Sequence, residues 1–105
     1  MIHPFLQEKL PELNKLFSKN HVISAYAFGS VCSNKFNDQS DVDLLINLDE
    51  NLEPLVRGEL MLHVWDALEE ILNRSVDLLS EKSLKNPYFI EEVNEKKVLL
   101  CGEGS

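Results

Sequence analysis

Two short apolar runs constrain the fold of this chain more than any other feature: Ile23-Ser24-Ala25-Tyr26-Ala27-Phe28 and Leu44-Leu45-Ile46-Asn47-Leu48. Each reads as a buried strand. The first is closed by Gly29-Ser30, and the second is opened, after a ten-residue gap, by Asp41-Val42-Asp43. Side chains alternate along a strand, so Asp41 and Asp43 share one face while Val42, Leu44 and Ile46 point to the core. Residues suited to chemistry thus stand at the edges of two strands.

Around these runs the pattern turns helical. Phe5, Leu6, Leu10, Leu13, Leu16 and Phe17 recur at helical spacing, and Pro4 and Pro11 each suit a first turn, which predicts an amphipathic helix with a candidate break near Pro11. Ser18-Lys19-Asn20 reads as a polar link to the first strand. Residues 33–40 are rich in turn formers and predict a surface loop with room for a helical turn, Asp38 being one of its turn residues. Asp49-Glu50-Asn51 ends the second strand. From about Pro54 to Asn73, the residues Leu60, Val64, Leu68, Ile71 and Leu72 mark one face of a long helix. Ser75 to Leu79 is a third strand, Asn86-Pro87 caps and starts a helix through Lys96, and Val98 to Cys101 forms a last short strand. Helix, strand, strand, helix, strand, helix implies an α/β or α+β fold, a small sheet covered by helices. A single domain is expected over residues 1–101, with a frayed tail over 102–105.

Composition narrows the function classes. With 10 basic against 18 acidic side chains the net charge is −8, which disfavours a nucleic-acid partner. Cys32 and Cys101 lack the close spacing of a metal knuckle and any adjacent acid–base partner, so they read as inert thiols. With no signal peptide and no long apolar span, a cytoplasmic protein without a membrane partner is expected. His3, His21 and His63 lie apart from one another and from the Gly-Ser and Asp-Val-Asp segments, and stay outside the candidate site. Trp65, with Met61, Leu68 and Leu72, reads as core rather than an exposed stripe, and Tyr26 as buried. Tyr88 and Phe89 are expected to pack on the sheet rather than flank a nucleotide base. Glu91, Glu92 and Glu95 read as a solvated helix face.

The candidate site is built for phosphate and metal. Gly29 has no Cβ, so its backbone can turn sharply and approach a phosphate, and Ser30 adds a hydroxyl and an amide donor. If Ser30 also opens a helical turn, its free amides favour an anion. Asp41 and Asp43 supply the hard oxygens that magnesium prefers. Two such ions about 3.5–4 Å apart clamp the attacking and leaving oxygens of a phosphoryl displacement, and the pair wants a third carboxylate. Asp77, between Val76 and Leu78 in the third strand, is the candidate if that strand lies beside the second. It would bind the catalytic metal and help deprotonate the attacking hydroxyl.

The run Phe28-Gly29-Ser30, ten residues, Asp41-Val42-Asp43-Leu44-Leu45, then Val76-Asp77-Leu78 resembles the minimal nucleotidyltransferases of the DNA polymerase β superfamily. The resemblance covers nearly the whole chain. It implies a mixed sheet flanked by helices, Gly29 and Ser30 on the triphosphate, Asp41, Asp43 and Asp77 as Mg2+ ligands, and adenylyl transfer from ATP. Members of this size are similar to antitoxins paired with a HEPN-domain ribonuclease toxin, some of which add AMP to a tyrosine of that partner. One position departs: many members carry arginine three residues beyond the serine, where this chain has Ser33, and Lys35 is the only cation in the gap. Three functions follow as expectations. The first is transfer of AMP from Mg-ATP to a hydroxyl of a protein partner. The alternative is a catalytically weak or inactive antitoxin that acts by binding its toxin. The third is a nucleotidyltransferase of small molecules such as aminoglycosides.

Overall fold

The computed structural model describes residues 2–33, 35–37 and 39–102. The turn expected at Asp38 and residues 103–105 of the expected tail lie outside the described residues. The first helix, α1 (Pro4–Lys19), is capped by His3, whose Nδ1 accepts from the Phe5 amide at 3.1 Å. The candidate break at Pro11 does not occur, and the helix also takes in Ser18 and Lys19 of the expected link. Pro11 withholds a hydrogen bond from the Gln7 carbonyl, but both residues are exposed and water can replace it. An interior proline costs about 3 kcal/mol, while the helix buries Leu6, Leu13 and Phe17 at about 1.5–3 kcal/mol each. Burial therefore outweighs the proline.

Strand β1 (Val22–Phe28) follows, then a 3-10 turn over Gly29–Cys32, the loop, and β2 (Val42–Leu48). Asp43 thus lies inside β2 and Asp41 just ahead of it. Helix α2 (Pro54–Leu72) starts on its proline, buries Val64, Leu68 and Leu72, and stops where Asn73 adopts a left-handed conformation (φ 53°), which asparagine tolerates. Strand β3 (Val76–Ser80), helix α3 (Pro87–Lys96) and strand β4 (Val98–Cys101) complete the order, with a second 3-10 turn over Glu81–Ser83. The Asn86 side chain caps α3, accepting from the amides of Tyr88 and Phe89 at 3.0 and 3.3 Å. The expected packing holds for Phe89 and fails for Tyr88, which is 83% exposed. Phe89 and Val93, four residues apart, turn the same helix face to the sheet, and Tyr88 is rotated off it.

The four strands form one mixed sheet in the order β3-β2-β1-β4, with β2 and β3 parallel and the other neighbours antiparallel. A parallel pair needs a long crossover, and α2 is that connection. One face of the sheet carries Ala25, Ala27, Val42, Leu44, Ile46, Val76 and Leu78, packed against α1 and α2 in the main core. Trp65 is half-buried at its border. The other face carries Tyr26, Phe28 and Leu45 under Phe89 and Val93 of α3. At the far end of β2, Asn47 donates to Ser24 Oγ (3.1 Å) and Glu81 Oε1 (3.0 Å), and Lys97 donates to Glu81 Oε2 at 2.7 Å. That polar chain closes the end of the second face opposite the aspartates.

Candidate active site

Asp43 and Asp77 are cross-strand partners in the parallel β2–β3 register, and Asp43 pairs on its other side with Phe28 of β1. Register partners share a face, so Phe28, Asp43 and Asp77 form one row across the second face of the sheet. Val42, Leu44, Val76 and Leu78 lie buried on the other face, as alternation requires. Asp43 is half-buried, whereas Asp41 and Asp77 are exposed.

Gly29 lies against this row. Its φ is +74°, and a Cβ built on it would overlap Oδ2 of Asp43 and stand 3.2 Å from its Cγ. Both the left-handed backbone and the nearness of the carboxylate therefore require glycine. The 3-10 turn beginning here leaves its opening amides without partners inside the turn, with Ser30 among its first residues. Ser33 closes the turn: its amide and hydroxyl both donate to the Ser30 carbonyl at 3.0 Å. The position where many members of the family that the sequence resembles carry arginine is thus occupied by a capping hydroxyl.

The electrostatics are those of crowded like charges. Burial, then the charges of Asp77 and Asp41, push the Asp43 carboxyl up from 3.8 to about 6. The chemistry of this donor set suits a hard divalent cation, which would relieve the repulsion. The carboxylates do not form a closed cage, however: among the described residues no three Asp, Glu, His or Cys groups are arranged to enclose a metal ion. Asp43 and Asp77 are fixed by strand pairing, and Asp41 is the member on the loop.

Beside the Gly29–Cys32 turn is a cavity of about 560 Å³ whose walls include Gly29, Ser30, Lys35, Phe89, Glu92 and Lys96. Phe28 and Phe89 meet edge to face, 6.1 Å between centroids, along its apolar side. Cys32 also lines it, and burial raises its thiol pKa, as it does for Cys101, in keeping with inert thiols. None of the three histidines lines the cavity.

Three supports were not legible in the sequence. Lys96 was read only as the end of the last helix, yet it stands in the cavity wall with Glu92 of the expected solvated face. Arg74, just past α2, donates from its guanidinium to the carbonyls of Asn37 (3.0 Å) and Ser40 (2.9 Å), and lies 4.5 Å from the ring centroids of both Phe5 and Phe36. It thereby fastens the loop end that carries Asp41. The outer edge of β3 is held from α2: Trp65 Nε1 donates to the Val76 carbonyl at 2.7 Å, and the Val76 amide donates to Glu69 Oε2 at 2.9 Å, one residue from Asp77.

Comparison with known proteins agrees with this fold. A protein of Methanocaldococcus jannaschii provisionally named a protein adenylyltransferase is 32% identical over 91 residues, covering 86% of this chain and 89% of the relative. A solved structure of a provisionally identified minimal nucleotidyltransferase superposes with a TM-score of 0.70 at 28% identity, covering 93% of this chain and 95% of that one. A chain in the structure of a tri-AMPylated Shewanella oneidensis HEPN toxin in complex with its MNT antitoxin shares the fold (TM-score 0.59, 23% identity, 92% and 72% covered). The family described as "Polymerase beta, Nucleotidyltransferase" matches residues 11–104, and the chain belongs to that family of enzymes that transfer nucleotides.

Proposed function

We propose that this protein transfers AMP from Mg-ATP to a hydroxyl of a protein partner, and that the partner is a HEPN-domain toxin. The observation that carries the reading is the pairing of Asp43 with Asp77 beside Gly29, which gathers carboxylates next to a backbone bend suited to phosphate. Asp41, Asp43 and Asp77 are the proposed Mg2+ ligands, and Gly29 and Ser30 the proposed contacts for the triphosphate. Magnesium would neutralise the phosphates and stabilise charge on the attacking and leaving oxygens. The acceptor hydroxyl oxygen attacks the α-phosphorus and forms a new P–O bond. The bond from the α-phosphorus to the bridging oxygen breaks, pyrophosphate leaves, and the hydroxyl proton passes to a carboxylate of the cluster, Asp77 in this reading. Support for AMP and for a toxin partner comes from the relative named as a protein adenylyltransferase and from the AMPylated HEPN toxin of the Shewanella complex. A net charge of −8 favours a basic docking surface on that partner.

The competing reading, an antitoxin that works by occlusion alone, is favoured by one observation. Ser33 caps its own turn and offers no cation to phosphate. The test between them is incubation with α-labelled ATP, Mg2+ and the product of the neighbouring gene. A mass gain of one AMP on a hydroxyl of that protein is the expected result. Unmodified toxin, in a mixture where it is nonetheless neutralised, would establish occlusion instead.

A further inference from the structure

The cavity beside Gly29 and Ser30 runs against the charge of the molecule. On a chain of net charge −8, its titratable walls hold two cations, Lys35 from the loop and Lys96 from the last turn of α3, against one carboxylate, Glu92. Lys96 Nζ lies 3.4 Å from Glu92 Oε1, one helical turn away, with the two side chains 66% and 64% exposed. An exposed pair of this kind is worth little and exchanges partners readily. Gly29 lies against the Asp43 carboxylate and also lines the cavity with Ser30 and the two lysines, so an elongated polyanion laid along Gly29 and Ser30 would meet both groups.

We propose that Lys35 and Lys96 form a two-element clamp on the distal phosphates of a nucleoside triphosphate, an inference that rests on the nucleotidyl-transfer reading above. Transfer requires the α-phosphate at the carboxylates. The β- and γ-phosphates then extend past the glycine-serine bend into the cavity, where an ammonium from the loop and another from α3 meet them. Lys96 leaves Glu92 for the phosphate, and Glu92 otherwise sets a repelling charge in the wall. AMP is too short to reach the clamp, so the lysines select for the triphosphate.

Equilibrium titration with ATP and with AMP, in Mg2+, tests this on the parent protein and on Lys35→Gln, Lys96→Gln, the double variant, Lys96→Arg and Glu92→Gln. All three side chains are exposed, so these changes leave the fold intact. Each single lysine variant is expected to bind ATP about 5- to 10-fold more weakly, the scale of one lost charge-assisted hydrogen bond, and the double variant at least about 30-fold more weakly. Lys96→Arg restores most of the loss, Glu92→Gln tightens ATP about 2- to 3-fold, and AMP affinity changes less than about 2-fold throughout. A parent that binds ATP and a double variant that binds it equally well would overturn the clamp and leave the transferase reading standing. Equal weakening for ATP and AMP would also overturn the clamp. A parent that binds neither nucleotide would remove both.

Discussion

Gly29 and Asp43 compete for the same space, and the chain resolves the conflict by omitting a side chain. Gly29→Ala forces a Cβ into Oδ2 of Asp43 while holding φ at +74°. The expected cost is about 1–3 kcal/mol of stability, from the backbone conformation and the displaced carboxylate together. Label transfer should fall at least about tenfold, because the displaced group is a proposed ligand. Thermal melting and the transfer assay check the two effects separately. Asp43 itself carries a pH signature. Its folded pKa is about 6 against an ordinary 3.8, so between those values the native protein binds a proton that the unfolded chain has released. The contribution of this group to stability is therefore fully present below about 4, falls as the pH rises, and is lost above about 6. The carboxyl is half-exposed, so screening limits the effect to about 1 kcal/mol. Asp43→Asn should therefore raise the Tm of the metal-free protein by about 4–8 °C at about pH 7.5 and leave it unchanged at about pH 4. Melting curves at the two pH values decide it. The position of Asp43 between the buried Val42 and Leu44, and of Gly29-Ser30 at the end of β1, was readable in the sequence because strand alternation and strand ends are local signals. Lys96 and Arg74 were not, because only the packing of α3 on the sheet and the end of α2 against the loop gives them a place in the site.

Among the elements, the segment ahead of β2 has an anchor that is remote in sequence. Arg74 bonds two of its carbonyls and stacks near Phe5 and Phe36, joining α1, α2 and the loop. Arg74→Met keeps apolar bulk but removes both hydrogen bonds and the charge. It should cost about 1–2 kcal/mol of stability. Divalent-ion affinity should fall several-fold, because Asp41 loses its fixed approach; calorimetric titration with Mn2+ would show it. A variant with parental ion affinity would mean that Asp41 is positioned by β2 alone. The strands and α3 matched their sequence patterns because alternation, Asn86-Pro87 capping and apolar spacing are local signals. The outcome at Pro11 was hidden because the burial of Leu6, Leu13 and Phe17, a tertiary effect, overrides a local penalty. The exposure of Tyr88 was hidden for a similar reason: only the docked orientation of α3 separates it from Phe89.

For the molecule as a whole, strand order could not be read from periodicity. The pairing of β2 with β3, on which the site depends, was reached by resemblance and by the search for a third carboxylate, and the structure places the two strands side by side. Chemistry and occlusion also part at this scale, since both would leave the two proteins bound. Asp43→Ala keeps the outer surface, so an antitoxin acting by occlusion should protect cells from the toxin as the parent does. Under the transfer account, protection and label incorporation are both lost, by at least about 100-fold in rate, because a metal ligand is gone. The most direct measurement of the central claim is divalent-ion binding in the presence of ATP, comparing the parent with Asp43→Asn and Asp77→Asn. The account predicts that the parent binds Mn2+ with ATP and that each substitution weakens this by at least about tenfold. Unchanged affinity in both variants would contradict it, because the paired carboxylates of β2 and β3 would then hold no metal.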